Sequence, residues 1–182
     1  MSAISDARVA LVFGTDTGNT EDVGEKICEQ FAGAGVAVEM VNIVDIDSQF
    51  FSNYDLIIMG IPTWDFGGIQ EDWEEREDII TDADLNGKKV ALYGLGDQLG
   101  YGDYFLDAMG WLHERVLKVG ATMIGYWPTE GYDFEASLGC SEDKSYFFGL
   151  AVDDDQQFEQ TDDRVNRWVV QICQEFEAAA AA

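Results

Sequence analysis

Short apolar runs alternate with helical patterns along nearly the whole chain, and that alternation is the signature of βαβ units on a parallel sheet. Val9-Ala10-Leu11-Val12-Phe13 is the first run. Val23, Ile27 and Phe31 then recur at helical spacing and predict a helix with one buried face, closed by Gly33 and Gly35. Val36 to Val41 reads as a second strand and Tyr54 to Gly60 as a third. The third contains Leu56-Ile57-Ile58-Met59, a continuous apolar run expected where helices cover both sheet faces. A short charged helix follows from about Asp72 to Ile80, then a fourth strand from Val90 to Leu95. Phe105, Met109, Leu112 and Val116 mark the inner face of the next helix. Thr122 to Tyr126 starts a fifth strand, which resumes at Phe147-Phe148-Gly149-Leu150 after an irregular stretch. The last helix places Val165, Trp168, Val169, Ile172, Cys173 and Phe176 on one face, with Thr161 expected as its N-cap and Asp162 and Asp163 in its first turn. The pattern predicts a five-stranded, doubly wound α/β fold in a single domain over residues 1–182. Residues 1–7 and 178–182 are expected to fray, and there is no repeat or linker.

Composition narrows the partners. Asp and Glu number 36 against 10 Lys and Arg, a formal charge of -26, while 47% hydrophobic residues rule out charge-driven disorder. So acidic a surface repels phosphate backbones and anionic lipids, and it suits basic proteins reached by electrostatic steering. No apolar stretch approaches the roughly 20 residues that span a bilayer. Met1 to Asp6 lacks the features of a signal peptide. Cys28, Cys140 and Cys173 are odd in number and widely spaced, as expected of free thiols in a reducing cytoplasm. His113 is the only histidine, which disfavours a Cys/His metal site and reads as a structural or exposed residue. Adjacent Asp153-Asp154-Asp155 reads as solvated carboxylates rather than a metal site.

Three loops at strand ends carry the chemistry. Gly14-Thr15-Asp16-Thr17-Gly18-Asn19-Thr20 joins the first strand to the first helix, where helix N–H groups and hydroxyls can hold an anion. The turn has no Gly-Lys-Ser/Thr ending and no G-x-G-x-x-G, so neither a triphosphate loop nor a dinucleotide fingerprint is present. A terminal monophosphate suits it better, with an ordinary capping turn as the plain alternative. Pro62-Thr63-Trp64-Asp65-Phe66-Gly67 and Gly94-Leu95-Gly96-Asp97-Gln98-Leu99-Gly100-Tyr101 each bring a large ring to the same sheet edge. In open α/β sheets ligands bind beyond the carboxyl ends of the strands. One ring alone is more often a packing residue; two rings beside a phosphate turn reverse that and predict a sandwich for a flat heterocycle, a flavin above other ligands.

These motifs resemble the flavodoxin family of the long-chain type, and the resemblance runs from about Arg8 to Phe176. Thr-x-Thr-Gly-x-Thr at 15–20, Gly-Ile-Pro-Thr-Trp at 60–64, Gly-x-Gly-Asp-Gln-x-Gly-Tyr at 94–101 and Gly-Tyr-Trp-Pro-Thr-Glu-Gly-Tyr at 125–132 carry it together. The resemblance implies strand order 2-1-3-4-5, for which flavodoxin is itself the standard example. It also implies a fifth strand split by an insertion spanning Trp127 to Tyr146. It implies FMN, with the phosphate at residues 15–20, Thr63 near the ribityl chain and Trp64 and Tyr101 flanking the isoalloxazine. The backbone around Leu95, Gly96 and Asp97 would meet the pyrimidine edge, with Tyr104 and Asp155 close by. The Asp65-Phe66 peptide matches one that rearranges toward flavin N5 in the semiquinone. Gly68 departs from the pattern, since relatives often carry Glu there.

A low-potential one-electron shuttle follows as the implied function, an electron-transfer protein rather than an enzyme, and a monomer with no nucleic-acid or membrane partner. Its expected partners are basic-surfaced reductases, such as a flavodoxin/ferredoxin reductase, and electron-accepting enzymes. Asp72, Glu74, Glu75, Glu77 and Asp78 form either a docking surface or a solvated helix face. The alternative on the same fold is an FMN-dependent NAD(P)H or quinone reductase, which needs an open flavin face. A signalling receiver needs paired acids after the first strand, and Gly14-Thr15-Asp16-Thr17 lacks them.

Overall fold

The computed structural model describes residues 3–181. Strands β1 (Val9–Phe13), β2 (Val38–Asn42), β3 (Leu56–Trp64) and β5 (Lys89–Leu95) form a parallel sheet in the order β2-β1-β3-β5. The fifth place is shared: β6 (Thr122–Met123) pairs with Lys89 and Val90, and β9 (Gly149–Val152) pairs with Leu92 to Leu95. The order is therefore 2-1-3-4-5 with a split last strand, as the resemblance implies. Leu56 to Pro62 is buried without a break, so both faces of β3 are covered. Helix α1 (Asn19–Gly33) packs on α5 (Thr161–Ala181), while α4 (Asp107–Lys118) packs on α3 (Glu77–Thr81). The predicted inner faces hold: Val23, Ile27 and Phe31 of α1, and Met109, Leu112 and Val116 of α4, are buried.

Several local expectations are corrected. The charged helix is two five-residue helices, α2 (Glu71–Glu75) and α3, separated at Arg76, which adopts φ -107 and ψ 21. Strand β3 runs on through Trp64 and turns back into β4 (Gly68–Ile69), with Trp64 opposite Gly68 and Thr63 opposite Ile69. The first aromatic loop is thus a tight hairpin, turned by Asp65 at φ 44 and Gly67 at φ 85. The insertion is not wholly irregular: β7 (Trp127–Pro128) and β8 (Tyr146–Phe147) pair antiparallel across it. Thr161 does not cap α5 with its hydroxyl, which instead donates to Asp154 Oδ1 at 2.6 Å. At the chain start, expected to fray, Ile4–Asp6 form a 3-10 turn with Ile4 in the core. At the far end α5 stays helical to Ala181, while Met1, Ser2 and Ala182 lie outside the described residues.

Candidate functional site

Beyond the carboxyl ends of β1, β3 and β5 lies a cavity of about 410 Å³, within the range of small-molecule sites. Thr15, Thr17, Asn19 and Thr20 form one side, Pro62, Thr63, Trp64 and Asp65 another, and Leu95, Gly96, Asp97 and Tyr101 a third. Asp155 closes the rim together with Asp154, a residue not expected at the site. Of the other residues expected at the site, Asp16, Gly18, Phe66, Gly67 and Tyr104 lie off this lining.

The first turn is built around helix α1. Gly18 precedes the helix at φ 91 and donates its N–H to Thr15 Oγ1 at 2.9 Å, a conformation suited to glycine. Thr20 Oγ1 is buried and has no hydrogen-bond partner, the one such side-chain oxygen or nitrogen among the described residues. A buried hydroxyl left unpaired costs about 1–3 kcal/mol, so its place beside helix N–H groups fits a ligand that supplies an acceptor. Asp16 is not part of the lining, and its carboxylate accepts from Gln70 Nε2 at 3.0 Å. Behind the turn, Trp73 Nε1 donates to Gly60 O at 3.0 Å and Tyr93 Oη donates to Thr20 O at 2.8 Å. Burial first, then the charges of Cys28 and Glu21, hold the Tyr93 phenol well above its ordinary pKa, so it stays a donor. Gln70, Trp73 and Tyr93 therefore position the turn, and none of them was identified from sequence.

Trp64 and Tyr101 stand half-exposed on the cavity, 36% and 39% accessible. The carboxylate of Asp65 lies beside the Tyr101 phenol and raises its pKa, so the two aromatic loops meet across the rim. Thr63 Oγ1 accepts the Ala108 N–H at 3.0 Å and anchors the hairpin to the start of α4. Phe66 points elsewhere: 76% exposed, it stands edge-on to Tyr101 and Tyr104 at 5.9 and 5.7 Å. Tyr104 and Phe66 line a neighbouring cleft of about 310 Å³ rather than the main cavity. The reason is local geometry, since Trp64 still belongs to β3 while Phe66 sits in the turn that follows.

The third wall is tied down by carboxylates. Asp97 Oδ1 accepts from Gly100 N at 2.7 Å, Leu99 N at 3.1 Å and Gln156 Nε2 at 3.0 Å. Burial raises the Asp97 pKa, but these donors outweigh it and the carboxyl titrates below its ordinary value. Asp153, expected to be solvated, is fully buried. It accepts from Gln98 N and Nε2 at 2.9 and 2.8 Å and from Asp155 N and Gln156 N at 3.1 and 3.0 Å. Four donors satisfy the oxygens of this buried side chain, as a buried polar group requires. Asp155 is raised in pKa by burial and by Asp97, Asp153 and Asp154. No group of Cys, His, Asp and Glu side chains suited to a metal ion occurs among the described residues. At Gly68, a Cβ would stand 3.0 Å from Trp64 O, so a larger residue there needs the hairpin to yield slightly.

The flavodoxin family model matches residues 11–168. The chain belongs to the flavodoxin family. It is 46% identical over 167 residues to Flavodoxin 2 of Escherichia coli, covering 92% of this chain and 95% of that relative. Flavodoxin of Synechocystis is 46% identical over 165 residues, with 91% and 95% covered. A Fusobacterium nucleatum flavodoxin structure bound to flavin mononucleotide superposes with a TM-score of 0.85 at 25% identity, covering 93% of this chain and 99% of that one. The insertion that splits the fifth strand agrees with the long-chain type.

Proposed function

We propose that this flavodoxin is a low-potential one-electron carrier that holds FMN in the cavity between the three loops. The observation that carries the reading is a single convergence. An unpartnered buried hydroxyl, Thr20 Oγ1, and two half-exposed rings, Trp64 and Tyr101, meet in one space of about 410 Å³. When bound, FMN supplies the electron chemistry, and the protein supplies binding, orientation and electrostatics.

Thr15, Thr17 and Thr20 offer hydroxyl donors to the phosphate, and the start of α1 adds backbone N–H groups and the positive end of its dipole. Asp16 and Gly18 shape this turn from behind. Trp64 and Tyr101 stack on the ring system and exclude water, which leaves no open face for a nicotinamide. Backbone groups of Leu95, Gly96 and Asp97 meet the polar ring edge. The Asp65-Phe66 peptide, flanked by Asp65 at φ 44 and Gly67 at φ 85, sits in the turn best able to reorient a carbonyl toward the ring. Asp97 and Asp155 oppose added negative charge on the ring and so lower its potential.

Partners with basic surfaces, a reductase and electron-accepting enzymes, fit the charge of -26, and the chain works as a monomer. Glu74, Glu75 and Asp78 are exposed for such docking, whereas Asp72 is engaged by Gln70 and Glu77 by Arg115. Incubation of the FMN-loaded protein with NADPH alone tests the carrier reading. The expected outcome is an unchanged oxidised spectrum until a reductase is added. Direct bleaching by NADPH contradicts it.

A further inference from the structure

Asp107 takes no part in lining the cavity, yet it touches the hairpin that does. It is the first residue of α4 and only 8% exposed. Its Oδ1 accepts the Leu138 N–H of the insertion at 2.7 Å. Its Oδ2 faces Gly67, where a Cβ would stand 3.0 Å away. One carboxyl at the start of α4 therefore bonds the insertion and lies against the 65–67 turn.

The groups that face it are few. From the turn comes the backbone of Gly67, since the Asp65 carboxylate lies beside Tyr101 instead. The Tyr104 ring approaches the same glycine. From the insertion comes the Cys140 thiol, whose pKa is raised by burial first and also by the Asp107 and Asp143 charges, against the opposing Ser137 bond and the Lys144 cation. Neighbouring Ala108 is engaged with Thr63. No Lys or Arg pairs with Asp107 among the described residues. A buried carboxyl without a cation favours its neutral form, and burial does raise the pKa of Asp107.

We propose that Asp107 is a positioning residue that couples proton uptake to electron uptake, linking the insertion to the turn beside Trp64. The proposal rests on the reading that FMN occupies the cavity. One electron arrives from an external reductant, and the Asp107 carboxylate takes one proton from water to become a carboxylic acid. Added negative charge behind the hairpin raises the proton affinity of a buried carboxylate, and linkage makes the effect reciprocal. Protonation also turns Oδ2 from an acceptor into a donor facing the backbone at Gly67. Electron transfer and turn geometry thereby share one titrating group.

The test is potentiometric titration of the FMN-loaded protein from pH 5 to 9, comparing the chain with Asp107→Asn. Asparagine keeps an acceptor for the Leu138 N–H but cannot ionise. Proton uptake by the cofactor itself is common to both proteins, so their difference isolates Asp107. The expected result is midpoints for the second electron that coincide at low pH and separate at high pH. Over the window where Asp107 titrates, the slopes should differ by up to 59 mV per pH unit, the one-electron equivalent of a tenfold change. Parallel lines overturn the proposal. Carbon-detected NMR of the Asp107 carboxyl in the unsubstituted protein gives an independent readout. Its titration should move to higher pH on reduction, and identical titrations in the oxidised and reduced states overturn the proposal. A chain that takes up no FMN overturns the underlying reading, and the proposal with it. FMN uptake with parallel lines sinks the role of Asp107 alone.

Discussion

Thr20 is where fold stability and ligand binding pull in opposite directions. Its hydroxyl is buried beside the α1 N-terminus with no partner in the protein, while its carbonyl is held by Tyr93. Replacing Thr20 by Val keeps the shape and removes the unpaired hydroxyl. The apoprotein should gain about 1 kcal/mol of stability, read as a higher urea midpoint. FMN affinity should fall roughly tenfold, about 1.4 kcal/mol, through loss of one hydrogen bond to a charged group. Fluorescence titration with FMN measures the second change, and riboflavin, which lacks the phosphate, should bind both proteins equally. A Val variant that is less stable and binds FMN as before would place the hydroxyl outside the phosphate site. Phe66 gives the complementary lesson: it is aromatic and sits beside Trp64, yet it lines the neighbouring cleft.

Among the elements, the split fifth strand is tied to α4 on both sides of the insertion. His113 of α4 stacks on Phe148 at 3.9 Å with the rings 3° from parallel, and its Nε2 lies 2.7 Å from Tyr126 Oη. Burial lowers its pKa to about 4, from an ordinary 6.5. The unfolded chain therefore binds a proton on this residue before the folded one does. Its stabilisation is complete above pH 6.5, is lost as pH falls toward 4, and is gone below that. Melting temperatures measured across pH 4 to 7 should fall less steeply in His113→Gln, which cannot titrate in that range; equal slopes would remove His113 from the acid response. The strands were legible because continuous apolar runs such as Leu56-Ile57-Ile58-Met59 leave no alternative periodicity. The break at Arg76 and the β7–β8 pairing were not, because no local residue preference dictates either. The site loops were legible as motifs, but their supports were not. Tyr93 reaches Thr20 across 73 positions and Gln98 reaches Asp153 across 55, and such bonds exist only once the sheet has formed.

At the scale of the whole molecule, the charge of -26 sets the electrostatics of the cavity. Many of its few cations are already committed: Lys26, Arg115, Lys118 and Arg167 pair with Asp162, Glu77, Glu114 and Asp163. Lys88 donates to the carbonyls of Ser52 and Tyr54, and Arg164 is buried against Tyr132. None of these cations lines the cavity, while Asp65, Asp97, Asp154 and Asp155 do. One carboxylate about 10 Å from an added charge, at an effective dielectric near 20, opposes it by roughly 1.7 kcal/mol before screening by salt. That is on the order of 70 mV in a one-electron equilibrium. Several such charges acting together should push the second electron to a much lower potential than the first. The most direct test is the absorption spectrum of the FMN-loaded protein during anaerobic stepwise reduction. Two resolved one-electron steps, the second at the lower potential, are the predicted result; a single two-electron step would contradict the account.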